Sequence, residues 1–221
     1  MKQLERDLER VKKKILTLGA LVEKNVYTAV KAIRDCDRKL AEVVIRSDSA
    51  VDQLEVDIEE ECLNILALCQ PVASDLRFII AVLKINTDLE RVGDIAVNIA
   101  WRADSLSRLP NLPRLFDFEP MADAAKLMVR KSLDALVNLN PVLAREVLVS
   151  DDTIDTMNRT MHEALQSYMK EQPEHVDTCM MLTSVSRNLE RMADHATNIA
   201  EDVIYLVEGD IVRHGRGRIQ E

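Results

Sequence analysis

Apolar residues along this chain recur at spacings of three and four, and polar residues fill the positions between them. Leu4, Leu8, Val11, Ile15, Leu18 and Val22 form the first such stripe, with the period of a helix that buries one face. It predicts a helix from the first few residues to Arg34–Cys36. Asp37 can cap a second helix, from Arg38 to about Cys69. Pro71 suits the first turn of a third, about Val72 to Ser107. The seam of that third helix, Phe78, Val82, Ile85, Leu89, Val92, Ala96 and Ile99, alternates steps of four and three, as antiparallel bundles require. Pro110, Pro113 and Pro120, with Asn111, break the pattern and read as a linker over 110–120. A fourth helix follows, about Met121 to Asn138. Asn140 and Pro141 supply the cap and first-turn proline of a fifth, which ends near Lys170. Pro173 opens a sixth, reaching about Glu208, with Gly209 as its C-cap. Residues 209–221, with the run Arg213-His-Gly-Arg-Gly-Arg218, read as a mobile basic tail.

The two halves repeat. Ala41 matches Ala144, Ser47-Asp48 matches Ser150-Asp151 and Asp52 matches Asp155, all at an offset of 103. The offset shrinks to 102 at Gln70-Pro71 and to 100 at Glu90, so the second hairpin is three residues shorter. The expected architecture is all-α: two tandem antiparallel three-helix bundles over 1–109 and 121–208.

Composition supports this and narrows the function. Gly (5) and Pro (6) are scarce and aromatics make up 3%, which favours long helices over sheet. A net charge of −9 without a Lys/Arg block argues against nucleic acid as a direct partner. No signal-peptide pattern opens the chain, and no run approaches the roughly 20 apolar residues of a membrane span. The expectation is a cytoplasmic protein, peripheral to a membrane at most. Cys36, Cys62, Cys69 and Cys179 lack CxxC spacing and read as buried free thiols.

The chemistry concentrates in one repeated stretch. Asp88-Leu-Glu-Arg-Val-Gly-Asp94-Ile-Ala-Val-Asn98 returns as Asn188-Leu-Glu-Arg-Met-Ala-Asp194-His-Ala-Thr-Asn198. In each, a Glu, an acid four residues on and an Asn four further on share one helical stripe. Two acids so spaced repel by roughly 0.2–0.5 kcal/mol, and repetition of that cost points to bound cations. Helices two and five carry their own pairs, Asp48/Asp52 and Asp151/Asp155. Facing residues of a hairpin have numbers that add to a constant. Asp48 with Asp94 and Asp52 with Glu90 share a centre at residue 71. Asp151 with Asp194 and Asp155 with Glu190 share one between 172 and 173. Each hairpin should therefore bring four carboxylates level. The pairs Glu5/Glu9, Glu55/Glu59, Asp57/Glu61 and Glu119/Asp123 fail this test; Glu55 and Glu59, for example, face Thr87 and Leu83.

The acids interrupt stripes that are otherwise apolar: Leu76, Ile80, Leu83, Val97 and Trp101 around Glu90/Asp94, and Ala41, Ile45, Leu63 and Leu66 around Asp48/Asp52. Half-buried carboxylates facing one another must take up protons or bind cations. The donors suit Mg, Mn, Ca or Fe, with Zn an option, and four carboxylates can hold more than one ion. Additional candidate ligands are Asn98, Asn198, Glu59 and its counterpart His162, and Glu201. His195 adjoins Asp194 but is rotated by about 100°. Arg91 and Arg191 are expected to pair with neighbouring acids.

The runs Gln70-Pro-Val-Ala-Ser-Asp-Leu-Arg77, Leu89-Glu-Arg-Val-Gly-Asp94 with Asn98-Ile-Ala, and Leu189-Glu-Arg-Met-Ala-Asp-His-Ala-Thr-Asn-Ile-Ala-Glu-Asp202 resemble the PhoU family of phosphate-signalling regulators across essentially the whole chain. The resemblance implies multinuclear iron or zinc clusters on Asp48, Asp52, Glu90 and Asp94 and on Asp151, Asp155, Glu190 and Asp194. It also implies a negative regulator that joins the ATPase subunit of a phosphate ABC transporter to a sensor histidine kinase; a second copy of the chain is a further candidate partner. Two departures stand out. Trp101 occupies the position matching Glu201, so the first cluster lacks that outer ligand. The second half reads Pro173-Glu-His-Val-Asp-Thr, so a contact made by Arg77 has no equivalent there. The alternatives are a ferritin-like di-metal oxidase and a purely structural scaffold. The oxidase needs Glu-x-x-His motifs, and the residues three before the four histidines are Arg159, Gln172, Met192 and Ile211. An adaptor without catalysis is the expectation.

Overall fold

The computed structural model describes residues 2–109 and 116–209. Six long helices run in order: α1 (Lys2–Asp35), α2 (Arg38–Cys69), α3 (Ala73–Leu106), α4 (Glu119–Asn138), α5 (Pro141–Glu171) and α6 (Val176–Glu208). No strand occurs among the described residues. The expected basic tail from Asp210 onward, and linker residues 110–115, lie outside them.

The helix ends follow the capping residues. Asp37 accepts from the amides of Lys39 (2.8 Å) and Leu40 (3.3 Å), and Asn140 accepts from those of Val142 (3.1 Å) and Leu143 (3.2 Å); each satisfies amides that have no intrahelical acceptor. Gly209 ends α6 at φ 80°, its amide donating to Tyr205 O, the left-handed cap that glycine adopts at least cost. The prolines depart from expectation. Pro71 is not in the first turn of α3. The reversal runs through left-handed residues at Gln70 (φ 47°) and Ala73 (φ 47°), so Pro71 belongs to the turn and α3 starts two residues later. Pro173 opens a 3-10 turn, Pro173–His175, ahead of α6, whereas Pro120 sits in the first turn of α4.

The seam positions read from the pattern are the ones buried. Val11, Ile15, Leu18 and Val22 of α1 and Val82, Ile85, Leu89, Val92, Ala96 and Ile99 of α3 are solvent-free, with Phe78 partly covered. The core does not stop at the half boundary, because α1 also packs on α4 and α3 packs on α6. Gly19 sits at the first of these crossings, where a Cβ would meet Leu133 Cδ1 and that side chain would have to shift. Two of the four cysteines, Cys62 and Cys179, are buried, and Cys36 and Cys69 partly so; all four are free thiols. Among the described residues, no helix is long and apolar enough to cross a membrane.

Candidate metal-binding carboxylate sites

Hydrogen bonds and close packing hold α2 against α3 beside the first acid group. Asn86, buried, donates its amide to the main-chain carbonyl of Glu55 at 2.9 Å. About two turns further along α3, a Cβ on Gly93 would stand 3.0 Å from Val51 Cγ1, so the helices approach where glycine sits between Glu90 and Asp94. In the second half Ala193 takes the glycine's place. Ser186 donates to Asn158 Oδ1 at 2.7 Å, joining α6 to α5.

In this register the carboxylates of facing helices act on one another. Burial, with Asp52 and Asp94 adding their charge, raises the Asp48 pKa. Glu90 is raised by burial and by Asp94, then relieved by Arg91, with Glu55 and Asp52 raising it further. Burial, with Asp155 and Asp194 nearby, pushes Asp151 up to about 6. Glu190 is raised by burial, Asp194 and Asp155, and Asp194 by burial and Asp155. Acids that only shared a helix would not feel acids of the opposite one, so each group does gather across its hairpin. Asp48, Glu90, Asp151 and Glu190 are half-buried, while Asp52, Asp155 and Asp194 reach the surface. Among the described residues, no three His, Cys, Asp or Glu side chains converge closely enough to hold a metal ion as they stand. Arg91 lies 3.5 Å from both Glu90 and Asp94, the acid pairing expected of it.

The flanking stripes are more open than the pattern suggests. Leu63 is 52% exposed and Trp101 53%, with Leu76 and Ile80 also at the surface, because the third face of the α2/α3 pair has no helix over it. In both halves some of the motif acids reach solvent, Asp52 in the first and Asp155 and Asp194 in the second. The outlying candidates divide. Glu59 and Asn98 are exposed and Glu201 is half-buried. His162 has its Nε2 buried without a hydrogen-bond partner, an orphaned donor atom on the Asp155 side of α5. His195 and Asn198 are engaged elsewhere. The His195 Nδ1 lies 2.8 Å from Asp88 Oδ1, and Asn198 Nδ2 donates to the same oxygen at 3.2 Å. They bind α6 to α3 across the junction of the halves, the direction that a 100° rotation from Asp194 gives. Lys84 and Asp202 (3.1 Å) bridge the same junction.

Two charged residues beside the sites escaped the sequence reading. Glu55 faces Thr87 rather than an acid, yet its carboxyl is raised by burial and by the charges of Glu59 and Asp52. Arg187 partly offsets the rise that burial, Asp194 and Asp155 give the Glu190 pKa. Facing-residue arithmetic tests a single row, and a glutamate or arginine side chain reaches the next one.

The PhoU domain model matches residues 15–103 and again 118–203, one copy over each carboxylate site. The chain belongs to the PhoU family. It is 43% identical to a phosphate-specific transport system accessory protein PhoU homolog of Pseudomonas putida, over 96% of this chain and 83% of that one. The homolog of Aquifex aeolicus is 40% identical over 96% of both. The crystal structure of PhoU from Pseudomonas aeruginosa superposes with a TM-score of 0.89 at 40% identity, covering 93% of this chain and 99% of that one. The tandem PhoU repeats account for the pseudo-symmetry of the sites. The donor set fits a cation: oxygen ligands, partly desolvated and mutually repelling, are the environment that hard and borderline divalent ions relieve.

Proposed function

We propose that this protein is a regulatory accessory of phosphate transport that binds divalent metal at two carboxylate sites and carries out no catalysis itself. The observation supporting the metal reading is that acids from two helices of each hairpin share one electrostatic environment, in both halves. Asp48, Asp52, Glu90 and Asp94 would hold metal in the first half and Asp151, Asp155, Glu190 and Asp194 in the second, with iron or zinc as the ions the family suggests and His162 as a nitrogen donor. A bound cation would neutralise these acids and tie α2 to α3 and α5 to α6, fixing the surface around them that a partner meets.

The regulatory reading draws on the relatives, which are named accessory proteins of a phosphate-specific transport system. The partners proposed are the ATPase subunit of a phosphate ABC transporter and a sensor histidine kinase, with the protein acting in the cytoplasm as a negative regulator. The sequence carries no nucleophile–base pair, P-loop or nucleotide fingerprint. The test is co-purification of the transporter ATPase subunit with the full chain from cells grown in abundant phosphate. The wild type should retain the subunit, and Glu90→Gln with Glu190→Gln should lose it. Absence of the subunit from the wild-type complex would contradict the adaptor reading.

A further inference from the structure

A cavity of about 470 Å3 lies where the starts of α1 and α3 meet the ends of α4 and α6. None of the motif acids lines it. Leu8, Phe78, Leu136 and Leu206 form its apolar part, and Leu139 and Val207, 52% and 38% exposed, are its open edge. The polar part is incomplete. Arg77 is half-buried, and its Nε is shut off from water with no hydrogen-bond partner among the described residues. Buried polar groups are ordinarily paired, and an unpaired N–H of a charged group is costlier than a neutral one. Lys12 brings a second cation to the same wall. Glu9 and Asp75 share the cavity, yet neither gives Arg77 Nε an acceptor. The cavity thus lacks an acceptor for Arg77 and an apolar group to cover Leu8 and Phe78.

The chain itself carries both. α6 ends at Gly209, whose left-handed cap (φ 80°) turns the backbone off the helix axis, and Leu206 and Val207 of its last turn already belong to the cavity wall. The residues that follow are Asp210-Ile211-Val212-Arg213: an acid, two β-branched apolar residues and a base. Four extended residues span at most about 14 Å, more than the roughly 8–10 Å between packed helix axes. We propose that the segment Asp210–Val212 folds back into this cavity as a strap. Asp210 accepts from Arg77, with Lys12 beside it, in a charge-assisted pair. Ile211 and Val212 cover Leu8, Phe78 and Leu136, and Arg213 comes to the side of Glu9 and Asp75. The order of charges along the segment matches the two signs that line the cavity. The strap ties the end of α6 to α1 and α3, and so latches the second half onto the first.

The experiment is nuclear Overhauser spectroscopy of the full-length chain with labelled Ile, Leu and Val methyls and Phe rings. In the wild type, the methyls of Ile211 and Val212 should show contacts to the Leu8 and Leu136 methyls and to the Phe78 ring. Ile211→Asp, a change beyond the last helix, should abolish these contacts and shift the Leu8 and Leu136 methyl resonances. Asp210→Asn and Arg77→Gln should each weaken the contacts, and the double variant should lose no more than either single one, as a shared pair requires. Losses that simply add would overturn the pairing of Asp210 with Arg77. No such contacts in the wild type, with Ile211→Asp leaving the Leu8 and Leu136 methyls unmoved, overturns the strap. Contacts seen only between differently labelled chains in a mixed sample put a second copy's segment in the cavity and overturn a strap within one chain.

Discussion

The two bundles are alike where they face the core and different where they face water. Leu89 and Leu189, Val92 and Met192, Ala96 and Ala196, and Ile99 and Ile199 fill matching buried positions of α3 and α6. Around the motif acids, Glu55 becomes Asn158, Glu59 becomes His162, Thr87 becomes Arg187 and Trp101 becomes Glu201. Duplication thus preserved the apolar seam and the four motif acids while the surroundings of those acids diverged. A buried position is constrained by the volume of its neighbours; a solvent-facing position is constrained only by what binds there.

The sharpest way to break this comparison is at the core. Leu89→Ala and Leu189→Ala should each cost about 2–5 kcal/mol by leaving a cavity, and both should shift one shared thermal transition, since the core is continuous from α1 to α4 and from α3 to α6. Two separate transitions, with each substitution moving only one, would show that the halves fold independently. Next in size is the helix crossing at the first site. Gly93→Val should cost about 1–3 kcal/mol through overpacking on Val51, whereas Ala193→Gly in the second half should cost only roughly 0.5–1 kcal/mol in helix propensity; equal losses in urea unfolding would mean that the two crossings are equally close.

The six helices, the buried seam and the tandem repeat were readable from spacing alone, and the acids of α2 and α3 that spacing set opposite each other do influence one another's pKa. Each depends on helical periodicity and on a short hairpin whose register is set near Pro71 and Pro173. What was not readable depends on side-chain reach and on contacts between the halves. Glu55 extends beyond its own row. The junction formed by Asp88, His195 and Asn198 joins helices that no short turn connects, so no arithmetic relates their numbers. The Trp101 stripe looked like core because its period is helical; it is exposed because no helix covers that face.

The junction offers a smaller test of asymmetry. Asp88→Ala removes the acceptor shared by His195 and Asn198 and should cost about 1–2 kcal/mol, read by denaturant unfolding. The matching substitution Asn188→Ala removes no carboxylate from the junction and should cost less; a reversed order would contradict the one-sided bridge.

Smallest is the pH effect. The Asp151 pKa is raised from 3.8 to about 6 by burial and then by the charges of Asp155 and Asp194. The folded chain thus holds this proton more tightly than the unfolded one. The stability this gives is full below 3.8 and lost as pH rises through about 6. In chelator, the thermal midpoint of Asp151→Asn should therefore fall less between pH 4 and pH 7 than that of the wild type. Parallel profiles would show that Asp151 ionises freely and that the second site is not crowded.

The central claim is that four carboxylates from two helices form a metal site in each half. The most direct measurement is metal content per chain, by elemental mass spectrometry, of full-length protein purified without chelator. The account predicts bound divalent metal in the wild type, a partial loss in Glu90→Gln and in Glu190→Gln, and loss of both shares in the double variant with helicity unchanged. Wild-type metal no higher than that of the double variant would contradict it.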